Sequence, residues 1–245
     1  MTSDHAESIA AARTAIQSSR NPCCFSGAGL SAPSGVGTFR DPGDGWWSRH
    51  DPMKLASPEG FSEDPELVMK WYAARREQMA QARPNAGHLA LANRKDIVQI
   101  TQNTDDLLER AGCDRLVQLH GDITSDRCHG HCGHVERVDM SNPPLDRMCP
   151  ACGDERMRPT VTWFGEALPS SAWSLAEQTA RECDLMLVVG TSAVVYPAAA
   201  LIEVASRSGA TIIIVNSEAT AASPLADHEL IGSAEELLPR LLESS

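Results

Sequence analysis

The chain has 245 residues, with 21 lysines and arginines against 33 aspartates and glutamates, a formal net charge of −12 at pH 7. That acidity repels phosphate backbones, which disfavours nucleic acid as a partner and leaves basic peptides, or small ligands gripped by a local pocket. With 42% hydrophobic and 22% charged residues the composition is globular, enough for one large domain or one domain with a small insert.

Read in chain order, Ile9, Ala12 and Ile16 recur at helical spacing and predict an amphipathic helix over 5–19. Pro22 to Ser26 is a short apolar run ending at glycines, a buried strand. From Ser34 to Gly60 the wealth of Gly, Pro, Ser and Asp, with Trp46 and Trp47 embedded, predicts a long loop. Asp64-Pro65-Glu66 is a helix start, and the helix should run to about Ala80. Pro84 opens an alanine-rich helix. Ile97 to Thr101 reads as strand, Asp105 to Ala111 as a short helix closed by Gly112, and Leu116 to Leu119 as strand.

Residues 122–158 are polar and aperiodic, an inserted small module. Alternation then resumes: Thr160 to Trp163 strand, Ser171 to Arg181 helix, Leu185 to Val189 strand, Pro197 to Arg207 helix, Thr211 to Val215 strand, Ala234 to Leu242 helix. Uniformly apolar strands separated by helices give an α/β chain with a doubly wound parallel sheet. No apolar stretch approaches the roughly 20 residues of a bilayer span, so no membrane partner is expected. The start, Met1 to Glu7, lacks the parts of a signal peptide, and the expected location is cytoplasmic.

In such a reducing compartment eight cysteines are not a disulfide framework. Cys128, Cys132, Cys149 and Cys152, paired at short spacing with a loop between the pairs, suit a closed tetrahedral Zn²⁺ site of structural kind. His129 or His131, lying between the first two, could replace one cysteine as ligand. Gly27-Ala28-Gly29-Leu30-Ser31-Ala32 fits G-x-G-x-x-A after a strand, either a pyrophosphate-binding turn or simply a tight one. The ribose-binding acid usual about 20 residues on is missing, which disfavours a plain dehydrogenase.

Gln102, Asn103, Thr104 and Asp105 end one strand, where an amide and a carboxylate could grip a carboxamide and a ribose or merely cap a helix. His120 ends the next strand beside Gly121, either a general base or a structural histidine. Gly190-Thr191-Ser192 and Asn216-Ser217-Glu218 end two more, with hydroxyls and a carboxylate that suit phosphate and ribose, or ordinary turns. The convergence of polar groups on one edge of the sheet favours a ligand. Tyr72 and Arg75 share a helix face and can together hold a carboxylate.

This ordered set, with Gly37-Thr38-Phe39-Arg40 and Trp163-Phe164-Gly165-Glu166, resembles the sirtuin family of NAD-dependent protein lysine deacylases, from about residue 20 to 240. The resemblance implies a Rossmann-like NAD domain over 1–40, 84–121 and 160–245, a cofactor loop and helical insert over 41–83, and a zinc module over 122–159. It implies that Gly27 to Ser31 hold the NAD phosphates, with Thr38, Phe39 and Arg40 in the mobile cofactor loop. Gln102, Asn103, Thr104 and Asp105 would line the nicotinamide and ribose pocket. Gly190, Thr191, Ser192, Asn216, Ser217, Glu218 and Ala234 would border ribose and adenine.

His120 would be the base, with Asn103 and Asp105 beside it in the catalytic set, and Trp163 to Glu166 would pair with the backbone of an acyl-lysine protein as an added strand. Tyr72 and Arg75 match the Tyr-x-x-Arg pair of the branch that removes succinyl and malonyl groups. Nicotinamide would leave as the acyl oxygen attacks the ribose, with lysine and an O-acyl-ADP-ribose as products. The chain departs from the family pattern at Pro33, Gly37 and Thr104. A mono-ADP-ribosyltransferase on the same scaffold and a non-catalytic zinc-ribbon adaptor are the alternatives, and a monomer is expected.

Overall fold

Both faces of the central strands are covered, which is why they carry no polar alternation. The structure is a computed structural model describing residues 3–37, 51–130 and 132–243. Thr38, Phe39 and Arg40, with Trp46, Trp47 and His131, lie outside the described residues. The first half of the chain forms α1 (Ser3–Ser18), β1 (Pro22–Ser26), α2 (Pro52–Leu55), α3 (Pro58–Glu63), α4 (Pro65–Gln81), α5 (Ala86–Asn93), β2 (Val98–Thr101), α6 (Leu107–Ala111) and β3 (Leu116–Gln118). The second half forms β4 (Ser125–Cys128), β5 (Val135–Arg137), β6 (Met157–Pro159), α7 (Ser170–Glu182), β7 (Leu185–Val189), α8 (Ala200–Arg207), β8 (Thr211–Asn216), β9 (His228–Ile231) and α9 (Ala234–Leu242).

Six strands make one parallel sheet in the order β3-β2-β1-β7-β8-β9. Renumbered along the sheet's own strands this is 3-2-1-4-5-6, the Rossmann order, and its switch point is the crevice between β1 and β7. Alternate side chains feed two cores. Cys23, Phe25, Met186, Val188, Ile212 and Ile214 pack under α7 and α8. Cys24, Leu187, Val189, Ile213 and Val215 pack under α1, α5 and α9. Each such side chain contributes roughly 1.5–3 kcal/mol on burial. Inserted between β3 and α7 is the small module, an antiparallel sheet in the order β5-β4-β6. A third apolar cluster joins α2, α3 and α4 to Ile123, Val161 and Trp163.

Several expectations are corrected. Within the stretch read as loop, Asp51 and Ser57 cap α2 and α3 ahead of prolines, as Asp64 caps α4. The alanine-rich helix begins at Ala86 rather than Pro84, because the Asn85 side chain accepts from the Gly87 and His88 N–H groups. Thr160 to Trp163 is not a strand. It is tied down piecemeal instead, with Thr160 N–H on the Ser125 carbonyl and Thr162 N–H on the His120 carbonyl. The helix expected from Pro197 starts at Ala200, after a cis Tyr196–Pro197 bond. β9, half exposed at the sheet edge, has no counterpart in the sequence reading.

The turns after β1 and β7 touch through glycine. Gly29 N–H donates to the Gly190 carbonyl at 2.8 Å, and Gly27 N–H to the Val189 carbonyl at 2.9 Å. A Cβ on Gly27 would lie 2.8 Å from Thr191 Cβ, and one on Gly29 would lie 2.7 Å from Gly190 Cα. Gly190 itself has φ +60° and abuts the Leu30 nitrogen. Gly190→Ala should therefore cost about 2 kcal/mol or more, read as a fall in thermal melting temperature. Unchanged melting would contradict this packing.

Candidate active site

The ends of β1 and β2 are joined by a bond from the Ser26 hydroxyl to Thr101 Oγ1 at 2.9 Å. The same Thr101 oxygen accepts the Asn103 N–H at 3.1 Å. Buried Asn103 then turns its side-chain nitrogen to the Gly27 carbonyl and to Ser31 Oγ, both at 3.1 Å. Across the crevice the Gln102 side-chain nitrogen donates to Thr191 Oγ1 at 3.0 Å. Three of the strand ends singled out in the sequence are thus one bonded cluster.

Ser31 is its hub, and one of the groups holding it was not anticipated. His88, fully buried, is pushed down to about 4 by that burial and is neutral. Its Nδ1 accepts the Asn85 N–H at 3.2 Å, so the ring proton sits on Nε2, 3.4 Å from Ser31 Oγ. Ser31 Oγ accepts the Asn103 amide hydrogen and faces the His88 Nε2–H, and its hydroxyl favours the charged form of Asp105. Burial raises Asp105 above the usual carboxylate range, against the opposing bonds from Leu107 N–H and Ser31. The missed signal was Asn85 three residues before His88, the spacing of a capping box.

His120 is half-buried at the carboxyl end of β3. Its Nδ1 lies 3.0 Å from the Gln102 carbonyl. A carbonyl only accepts, so Nδ1 carries the proton and Nε2 presents a lone pair. Burial lowers its pKa below the ordinary histidine value, with the Gln102 bond opposing. A neutral imidazole in this tautomer can take a proton from a sugar hydroxyl. The Thr104 carbonyl accepts the Ile123 N–H at 3.0 Å.

The remaining candidates lie on turns and a helix start. Ala28 is in the short 3-10 turn Ala28–Leu30, and Ser192 is half-buried after Thr191. Asn216 closes the turn after β8 by donating to the Glu218 carbonyl at 2.8 Å, leaving Ser217 and Glu218 exposed. Ala234 is buried as the first residue of α9.

The Tyr72 face of α4 meets the 163–166 turn. Trp163 Nε1 donates to the Tyr72 hydroxyl oxygen at 2.8 Å, and both rings are buried. Burial pushes Tyr72 up to about 12, so it stays a neutral donor. Arg75, one turn on, stacks on Trp71 with its Cζ 5.4 Å from the ring centroid. Arg158 lies 3.6 Å over the Trp163 ring. The turn itself is largely self-bonded. Glu166 Oε2 accepts the Trp163 N–H at 2.9 Å, Glu166 N–H reaches the Trp163 carbonyl, and Phe164 N–H reaches the Ala56 carbonyl. Gly165, at φ +85°, lies at its tip. An added strand can therefore use the carbonyls and the Gly165 N–H here, but not the N–H groups of Trp163, Phe164 or Glu166 as they stand.

In the module, the four cysteines have their sulfurs within 4.8 Å of one another. The Cys128–Cys152 and Cys132–Cys149 sulfur distances are 3.9 and 3.6 Å. Bonds of about 2.3 Å to a tetrahedral Zn²⁺ place sulfurs about 3.8 Å apart, so the donor set fits that ion and leaves it no open position. No histidine is needed: His129 packs edge-on against Phe61, and His134 bonds Glu136. Purified protein should carry about one zinc per chain, and chelation should lower melting temperature and turnover together. A folded, metal-free preparation of full stability would contradict the site.

A Rossmann-order sheet with a bonded polar crevice at its switch point, beside a four-thiolate module, defines a dinucleotide-using α/β enzyme with a structural metal site. The comparisons narrow this. The Sir2 family model matches residues 27–197. NAD-dependent protein deacylase 2 of Pyrobaculum aerophilum is 47% identical over 232 residues, 93% of this chain and 92% of that protein. A crystal structure of a Sir2 homolog–NAD complex superposes with a TM-score of 0.88 at 41% identity, covering 94% of this chain and 91% of that one. A Sir2–p53 peptide–NAD+ structure gives 0.81 at 29% identity, covering 93% and 94%. The chain belongs to the Sir2 family.

Proposed function

We propose that this protein is an NAD-dependent protein-lysine deacylase that removes succinyl and malonyl groups, and also acetyl groups, from lysine side chains. The observation that carries the deacylase reading is His120, held by the Gln102 carbonyl with Nε2 as its basic atom, next to the Asn103–Ser31–Asp105 cluster. NAD is a co-substrate whose glycosidic bond is broken in the reaction.

In this reading the turn from Gly27 to Ser31 and the Gly190–Ser192 turn take the phosphates. Gln102, Asn103, Thr104 and Asp105 take the nicotinamide and its ribose. Asn216, Ser217, Glu218 and Ala234 border the adenosine end, and Thr38, Phe39 and Arg40 contribute to holding the cofactor. His120 takes the proton of a ribose hydroxyl so that this oxygen can attack the activated acyl carbon. Trp163, Phe164, Gly165 and Glu166 meet the peptide backbone. Among the described residues no helix is long and apolar enough to cross a membrane, and the free thiols suit a reducing cytoplasm. The catalytic unit is a monomer.

Two tests follow from the site. Because His120 must be neutral to act and burial lowers its pKa, kcat/KM should fall only as pH drops below the ordinary histidine range. His120→Ala should lose roughly 10²–10⁴-fold in turnover with the fold intact, and that acid limb with it. Near-wild-type turnover would refute the assignment.

The anionic-acyl reading rests on Tyr72 and Arg75. A charge-assisted hydrogen bond to the acyl carboxylate contributes about 1.5–3 kcal/mol, roughly ten- to a hundredfold in preference. Arg75→Met should cut desuccinylation by that factor and largely spare deacetylation, with Tyr72→Phe acting in the same direction more mildly. Equal loss on both substrates would show the pair to be structural.

A further inference from the structure

The strand that ends at Cys128 is bonded to both walls around Tyr72. On one side of β4, fully buried Asp126 accepts from Arg76 Nη2 at 2.6 Å and from Arg147 Nη2 at 2.9 Å. Arg76 is itself fully buried and also donates through Nε to the Ile123 carbonyl at 2.8 Å and through Nη2 to the Ser125 carbonyl at 3.3 Å. It follows Arg75 directly on α4, one turn beyond Tyr72. On the other side of β4, Arg127 Nη2 reaches Glu166 Oε1 at 3.2 Å. Glu166 in turn holds the Trp163 N–H and Arg158, and the Trp163 indole holds Tyr72. The contacts close on themselves: α4 to β4 through Arg76–Asp126, β4 to the 163–166 turn through Arg127–Glu166, and the turn back to α4 through Trp163–Tyr72.

The geometry points to Arg76 and Asp126 as positioning residues that set how this enzyme discriminates between acyl groups. The inference rests on the reading that Tyr72, Arg75 and Trp163 line the acyl pocket. The recorded bonds of the pair run away from that pocket: Arg76 Nε and Nη2 go to the Ile123 and Ser125 carbonyls and to Asp126, and Asp126 is held by Arg76 and Arg147, while Arg76 Nη1 is buried without a partner. Their effect is on α4. A guanidinium held at three acceptors fixes both the rotation and the depth of the helix, and with them the direction in which Tyr72 and Arg75 present their donors. A buried ion pair adds little net stability over apolar residues but specifies one arrangement. Displacement of a binding group by about 1 Å can cost on the order of a hundredfold. Acyl groups that need those donors should feel the loss of the pair most, and a short neutral acyl group least.

Asp126→Asn keeps the shape and removes the charge. It is to be compared with the wild type on acetyl-, butyryl- and succinyl-lysine peptides of one sequence at saturating NAD, with zinc content and melting temperature measured on each preparation. The expected result is a succinyl-to-acetyl ratio of kcat/KM lowered by about tenfold, chiefly through the KM for the succinyl peptide, at unchanged zinc content. Arg127→Gln, which opens the same circuit at its more exposed side, should shift the ratio in the same direction by a smaller factor. It carries the test if Asp126→Asn does not fold. Lower melting temperature with every acyl ratio unchanged in the folded variant overturns the proposal. In this experiment the wild-type ratio judges the anionic-acyl reading. Should the wild type ignore the succinyl peptide, that reading falls, and the butyryl-to-acetyl ratio decides the positioning role: a shift upholds it and constancy overturns it.

Discussion

At the middle of the sheet the Gly29 N–H meets the Gly190 carbonyl at 2.8 Å, and no side chain could stand on either residue without parting them. This contact brings the turn after β1 against the turn after β7, which sets the crevice at the switch point. Gln102 can then span to Thr191, and Asn103 can hold the Gly27 carbonyl while its other bond goes to Ser31. The glycines of the G-x-G turn thus serve the packing of two strand ends first. Their fitness for the close approach of a phosphate comes with that packing.

The groups gathered at that edge are largely dry, and burial moves the ionisable ones toward neutrality. Asp105 is raised and His120 is lowered by the same cause. Each is then corrected by its bonds: Ser31 and Leu107 support the Asp105 carboxylate, and the Gln102 carbonyl fixes which His120 nitrogen is basic. The His88 ring, pressed to about 4 and held by Asn85, keeps Ser31 oriented without bringing a charge into the cluster. A site arranged this way has little reorganisation left to do when its ligands arrive.

Much of the sheet is legible in the sequence because β7 and β8 are apolar without interruption, a pattern only a doubly covered parallel strand needs. β9 escapes because an edge strand with one solvated side, reading His-Glu-Leu-Ile, carries no such signal. Thr160 to Trp163 misleads in the opposite direction: its composition suits a strand, but it lies between β6 and the cleft, where only scattered backbone partners are available. The chemically distinctive site residues, His120, Asn103 and the four cysteines, stand out by type and place. The Arg76–Asp126 pair does not, because its partners are 50 residues apart and an arginine beside Arg75 looks like a solvated face. Asn85 and His88 were readable as a cap, but nothing local tells that the ring's far nitrogen meets Ser31.

The central claim is that one crevice couples the breaking of NAD to the removal of an acyl group from lysine. The most direct measurement is nicotinamide release and free-lysine peptide formation, followed together by mass in mixtures lacking NAD, lacking acyl-peptide, or complete. The account predicts equimolar nicotinamide and deacylated peptide in the complete mixture and neither product when one substrate is omitted. Nicotinamide released at full rate without acyl-peptide, or deacylation without NAD, would contradict it.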